Sequence, residues 1–176
     1  MKILPCERAV EEAVKTLNRP GGVLLVPTET VYGLVCGWKD ESARKRIYEL
    51  KHRSENKPFA AFLPDLSVLP DAAVLPEAAR RLAERFCPGP ITIVVPDRNG
   101  STFGFRLPDH PFIQQLLQAY GGPLASTSAN LSGQPPARNV EYALQSIDGE
   151  PDLTVDGGTL PPDSSASTVV QVFHDS

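Results

Sequence analysis

Ile91-Thr92-Ile93-Val94-Val95 is the strongest strand signal in the chain, and Asp97-Arg98-Asn99-Gly100 turns it back into Thr102-Phe103-Gly104-Phe105-Arg106. An Asn-Gly hairpin is antiparallel, whereas the rest of the chain alternates helix with strand, the pattern that builds parallel neighbours. The two together require a mixed sheet. The expected fold is therefore α/β: a single domain over residues 1–176 with a twisted sheet of parallel and antiparallel strands, flanked by helices. A length of 176 residues is one domain's worth.

Glu7 to Asn18 predicts a helix, with Ala9, Val10, Ala13, Val14 and Leu17 on one stripe. Pro20-Gly21-Gly22 ends it, and Val23 to Val26 reads as a buried strand. Asp40 caps a helix that runs to about Lys51, and Pro58 opens a short apolar run, Phe59 to Leu63. Pro76 starts a helix ending near Phe86, and Asp109 with Pro111 starts another ending at Gly121-Gly122. A strand over Leu124–Ser128, a short helix after Asn139 and a final apolar stretch from Ser167 to Phe173 complete the chain. Residues 148–165, rich in Asp, Gly and Pro, read as the loosest segment.

No apolar run approaches the roughly 20 residues that span a bilayer, and the N-terminus lacks the apolar core of a secretion signal, so no membrane role is expected. Cys6, Cys36 and Cys87 are too scattered for a disulfide framework or a CxxC metal site, which points to the reducing cytosol. The net charge of −4 hides an asymmetry: all 17 Lys and Arg lie in residues 1–138 against 14 acids, and residues 139–176 hold seven acids and no base. The acidic end is expected to lie mostly away from any anionic ligand. Phosphate-loop, GxGxxG, HExxH and GxSxG signatures are absent, and the histidines are too dispersed to suggest a metal site.

Four polar clusters remain. In Pro27-Thr28-Glu29-Thr30-Val31-Tyr32-Gly33-Leu34, an extended backbone puts Thr28 and Thr30 on one face and Glu29 on the other; the hydroxyls either bind a small polar ligand or cap the loop. Lys51, Arg53 and Lys57 cluster where a helix yields to a loop. A helix C-terminus repels anions, so these side chains either supply the attraction for a phosphate or simply cap the helix. Ser126-Thr127-Ser128-Ala129-Asn130-Leu131-Ser132-Gly133 offers hydroxyls and a carboxamide on a narrow backbone, as a binding surface or as a plain turn. Arg106, before Pro108-Asp109-His110-Pro111, either clamps a carboxylate or pairs with Asp109.

Taken in order, these clusters, with Pro88-Gly89-Pro90-Ile91-Thr92, resemble the YrdC-like family of threonylcarbamoyl-AMP synthases of the TsaC type, over a core of about residues 8–173. The resemblance implies an open α/β fold with a concave basic surface. It implies an enzyme that makes threonylcarbamoyl-AMP and pyrophosphate from L-threonine, bicarbonate or CO2, and ATP. A separate transferase complex then passes the threonylcarbamoyl group to a tRNA adenosine. It assigns Lys51, Arg53, Lys57, Thr102 and Ser126 to ATP, and Thr30, Arg106, Ser128 and Ser167 to threonine. Lys51, Arg53, Ser128 and Asn130 form its catalytic set. Mg2+ would arrive with ATP, with no metal bound by the protein itself.

Two positions depart from the family pattern: Val35, where a smaller residue is common, and Phe62, where some longer relatives place a histidine near threonine. Those relatives also carry a further C-terminal domain, and this sequence ends at Ser176, so the expectation is closure of the site by this domain or a partner. Competing readings are an RNA-binding module using the basic 39–57 segment, with weak tRNA affinity, and a carbamoyl-adenylate-forming relative. The acidic end and 7% aromatic content weigh against the first.

Overall fold

A computed structural model describes residues 2–54, 58–69, 73–161 and 167–173. Its strands are β1 (Lys2–Pro5), β2 (Leu24–Val26), β3 (Gly33–Gly37), β4 (Ala60–Phe62), β5 (Ile91–Pro96), β6 (Thr102–Arg106), β7 (Leu124–Ser128), β8 (Leu153–Asp156) and β9 (Thr168–Gln171). The helices are α1 (Val10–Asn18), α2 (Glu41–Lys51), α3 (Glu77–Phe86), α4 (Pro111–Tyr120) and α5 (Val140–Gln145). The strands form one sheet in the order β1-β8-β2-β3-β7-β4-β6-β5-β9. Pairings β1–β8, β8–β2, β4–β6 and β5–β9 are parallel, and the other four are antiparallel. The expected mixed sheet is present.

Local chemistry accounts for the element boundaries. The Asp40 carboxylate accepts the Ala43 amide at 3.0 Å, capping α2, and the Gly21 amide at 2.9 Å, which ties the turn after α1 to the same cap. Pro111 opens α4, and Gly121, at φ +79°, closes it in the left-handed conformation that glycine adopts without strain. In the β5–β6 connection the Asp97 side chain accepts the amides of Asn99 at 2.8 Å and Ser101 at 2.9 Å. Because Pro96 pairs with Thr102, this is a five-residue loop wound on Asp97, longer than the tight turn that Asn-Gly most often makes.

Three strands escape the sequence reading. β1 is an edge strand of four residues. β3 begins and ends in glycine, a residue depleted from strands. A Cβ on Gly33 would sit 3.1 Å from the Thr127 carbonyl, so the bare backbone lets β3 and β7 meet closely. β8 lies inside the segment expected to be loosest, yet Leu153, Thr154 and Val155 are buried between β1 and β2. A central strand of four residues is too short to show periodicity.

Helices α2 and α5 pack on one face of the sheet across Leu25, Leu34 and Ala125. Helix α3 extends that layer across Ala61, Ile93, Val95, Phe103 and Phe105. Ala125 pairs with Ala61, which puts both layers on the same side. Helices α1 and α4 cover the opposite face across Leu24, Val26, Val35, Phe62, Leu124 and Val155. Val35, one of the two family departures, is thus fully buried core. Among the described residues no helix builds a core against that second face of β5, β6 and β9.

The Asp40 cap is testable. Burial raises its carboxyl, but the hydrogen bonds from Ala43, Ser42 and Gly21 outweigh that and leave it below the ordinary value. The stabilisation is therefore present above the usual carboxylate range and lost as pH falls through the lowered value. Asp40→Ala should cost about 1–2 kcal/mol in urea unfolding at neutral pH, a difference that shrinks in acid.

Candidate active site

The uncovered sheet face is the floor of a cavity of ≈ 220 Å³. Side chains of β5, β6, β7 and β9 reach it by alternation: Thr92, Arg106, Ser126, Ser128 and Val169. Small residues leave the room, since Ser126, Ala60 and Gly104 lie in register across β7, β4 and β6. A larger groove of ≈ 540 Å³ runs beside Trp38 and Arg44. Its guanidinium is already committed, donating from Nε to the Trp38 carbonyl at 2.8 Å and lying 4.2 Å from the indole ring centre. It contains none of the four polar clusters.

The rim above the floor is the turn after β2. It is bent where an extended backbone was expected, and Thr28 holds the bend. The Thr28 hydroxyl donates to the Val31 carbonyl at 2.6 Å and accepts the amides of Thr30 at 3.1 Å and Val31 at 3.2 Å. Its oxygen is 3.0 Å from that of Thr30. With Thr28 saturated by its own backbone, Thr30 is the hydroxyl left to address a ligand. The turn is anchored from behind by Tyr32, whose phenol donates to the Gly158 carbonyl at 2.7 Å and accepts the Gly157 amide at 3.0 Å. Burial pushes that phenol up to about 12.

The basic wall comes from the end of α2. His52 takes a left-handed conformation at φ 51°, unusual for a residue with a Cβ. The chain then reverses: the His52 amide reaches the Glu49 carbonyl at 3.3 Å and the Arg53 amide reaches Tyr48 at 2.9 Å, a Schellman closure. Lys51 is thereby left as the last helical residue, 3% exposed, with its ammonium 2.5 Å from the Ser128 carbonyl and 3.4 Å from the Ser128 hydroxyl. Arg53 lands on the cavity side, donating to the Thr127 hydroxyl at 2.6 Å and the Pro58 carbonyl at 3.0 Å. Burial lowers the Arg53 guanidinium, whose Nε is buried without a partner among the described residues.

The opposite wall is Arg106, 7% exposed at the end of β6. It pairs with Glu29, whose other carboxylate oxygen accepts the Asp109 amide. The guanidinium lies 5.2 Å from the ring centre of Phe62, the other departure from the family pattern, so an aromatic surface underlies the charge. Burial lowers Arg106, opposed by Glu29. It also raises Glu29, opposed by Arg106 and the Asp109 amide. Beyond Arg106, Ser167 and Thr92 share a hydrogen bond of 2.6 Å at the cavity edge.

Of the residues selected from sequence, Thr30, Arg53, Arg106, Ser126, Ser128 and Ser167 all line this cavity. Lys51 touches it through Ser128. Asn130 does not line it: its amide donates to the carbonyls of Leu131 at 2.9 Å and Gln134 at 2.8 Å, holding the loop after β7. Thr102 is exposed at the start of β6, four residues from Arg106, and does not line the cavity. Lys57 lies outside the described residues. The sequence reading did not single out Thr92 or Thr127, nor Glu29 as the partner of Arg106. Alternation along β5 and β7 marks the two threonines, but the pairing of Glu29 across 77 residues leaves no local signal.

A family model for the Sua5, YciO and YrdC proteins, described as "Telomere recombination", matches residues 16–176. The chain belongs to the Sua5/YciO/YrdC family. Human threonylcarbamoyl-AMP synthase is 40% identical over 178 residues, covering 93% of this chain and 63% of that protein. The Chromohalobacter salexigens threonylcarbamoyl-AMP synthase is 39% identical over 140 residues, 73% of this chain and 74% of its own. The chain thus spans less than two thirds of the length of its mammalian relatives, 62% for mouse. The structure of P. abyssi Sua5 complexed with L-threonine superposes with a TM-score of 0.87 at 30% identity, covering 98% of this chain and 54% of that one. E. coli YciO superposes with a TM-score of 0.83 at 28% identity, covering 99% and 90%. HypF, 19% identical, shares the fold.

For this Sua5/YciO/YrdC chain the Thr28 turn decides the shape of the rim. Thr28→Val keeps the volume but leaves two buried amides and a carbonyl without their partner. Unfolding free energy measured in urea should fall by about 2 kcal/mol or more.

Proposed function

We propose that this chain makes threonylcarbamoyl-AMP and pyrophosphate from L-threonine, bicarbonate or CO2, and ATP. The observation that carries the reading is the polarity of one cavity: Arg106 over Phe62 on one wall, Lys51 and Arg53 on the other, and hydroxyls between. Its relatives carry the name threonylcarbamoyl-AMP synthase, and the P. abyssi Sua5 structure holds L-threonine.

The chemistry needs little beyond such a site. Threonine's amine takes up CO2 to give a carbamate, whose oxyanion attacks the α-phosphorus while the bond to pyrophosphate breaks. A step of this kind is accelerated by positioning and by neutralising charge. Arg106 holds the threonine carboxylate, as a guanidinium does in two-pronged fashion, with Thr30, Ser128 and Ser167 addressing its polar groups. Arg53 and Lys51 meet the triphosphate, assisted by Ser126. Lys51, close to Ser128, stands where the charges of both substrates converge. The family pattern adds Lys57 and Thr102 to the residues that serve ATP.

Magnesium would enter with ATP. Among the described residues there is no cluster of three or more His, Cys, Asp or Glu. The neutral hydroxyls of Ser126 and Ser128 fit an ion held chiefly by phosphate and water. Bound there, the ion would offset phosphate charge. The product would pass to a separate complex that modifies tRNA in the cytosol, and no described helix is long and apolar enough to cross a membrane. The RNA-module reading draws less support, because Arg44 and Arg46 of the basic segment are spent on Trp38 and Asp152.

The purified protein should release pyrophosphate only when threonine, bicarbonate and ATP are all present. Release that ignores threonine would sink the proposal. Lys51→Ala should lower the rate by about 100-fold or more with the circular dichroism spectrum unchanged.

A further inference from the structure

Arg106 makes an unusual commitment of its guanidinium. One corner, Nη2, is held by Glu29 Oε1, while Nε is buried and has no partner among the described residues. The guanidinium offers five N–H donors in a planar fork, so a single anchored corner leaves further donors for a second carboxylate. Glu29 itself is bound at both ends. Its second oxygen accepts the amide of Asp109, in the loop between β6 and α4, so one carboxylate joins the end of β6 to that loop. Phe62 underlies the plane of the guanidinium.

A flexible arginine meeting a carboxylate alone would have to lose its rotamer freedom on binding. Here the freedom is removed beforehand. We propose that Glu29 is a positioning residue that fixes the Arg106 guanidinium in one orientation at the cavity wall, ready for an amino-acid carboxylate. Glu29 itself does not line the cavity. The proposal rests on the reading of Arg106 as the carboxylate-binding group of the amino-acid substrate. It adds that affinity for the amino acid is set by a carboxylate that need not touch it.

The role requires two acceptor oxygens, which separates it from simple space filling. Glu29→Gln keeps the size of the side chain but offers one acceptor to two donors, so either Arg106 or the Asp109 amide loses its partner. Glu29→Asp keeps both oxygens on a shorter arm. Calorimetric titration should show L-threonine binding weakened about tenfold or more in Glu29→Gln, partly recovered in Glu29→Asp, with ATP affinity within about twofold of the parent in both. Threonine affinity unchanged in Glu29→Gln, or threonine and ATP weakened by the same factor, would overturn the positioning role.

A second measurement is independent of the substrate assignment. In 15N-arginine NMR spectra of the ligand-free protein, with the Arg106 resonance assigned by its loss in Arg106→Lys, guanidinium rotation should be restricted in the parent and released in Glu29→Gln. Restriction that persists in Glu29→Gln also overturns the role. If the parent takes up no threonine while the guanidinium is still released, the positioning stands and the threonine reading falls.

Discussion

The arrangement of the molecule depends on how far its helices extend over a single sheet. Among the described residues, the α-helices cover one face of the sheet and part of the other, leaving that second face bare over β5, β6 and β9. On the covered strands, residues of both faces are apolar, as a sheet between two layers requires. On β5 and β6 the core positions are Ile91, Ile93, Val95, Phe103 and Phe105, and alternate positions include Thr92, Gly104 and Arg106. The cavity is a direct consequence: it is the stretch of sheet that no described helix fills.

Placing cations on that face carries its own constraint, because a charge removed from water must find partners. Each does so differently. Lys51 donates to a backbone carbonyl and hydroxyl of Ser128, Arg53 to a hydroxyl and a carbonyl, and Arg106 to a carboxylate. The acidic end of the chain also takes part, behind the helix that carries Lys51. Asp148 lies 2.6 Å from the ring of His52, between Lys51 and Arg53, and the Asp148 amide donates to the Leu50 carbonyl. Asp152 binds both the Val23 amide and Arg46 of α2. Part of the net negative charge of residues 139–176 thus braces the helix that presents the cations.

Much of this was legible locally. Caps, prolines and glycines mark α2, α4 and the β5–β6 hairpin, and the apolar runs mark β2, β4, β5 and β7, because each signal is complete within a dozen residues. β3 and β8 were not legible, since a glycine-bounded strand and a four-residue strand become strands only through their neighbours. The polar clusters were visible as composition, but their geometry was not. Thr28 and Thr30 share a side because of a bend, where alternation had predicted the same outcome for a different reason.

The sequence by itself determined a mixed α/β sheet, the cations at the end of α2 and the family to which the motifs belong. Only the tertiary structure decided that Glu29, and not Asp109, is the partner of Arg106, that the Asn130 amide bonds the carbonyls of Leu131 and Gln134, and that Thr102 lies outside the cavity lining. The reason is physical: helix caps and turns are contacts between residues a few positions apart, whereas the site is made by strands brought together in an order unrelated to their order in the chain. Which polar groups then face one another is set by sheet register, and register is a property of the whole sheet.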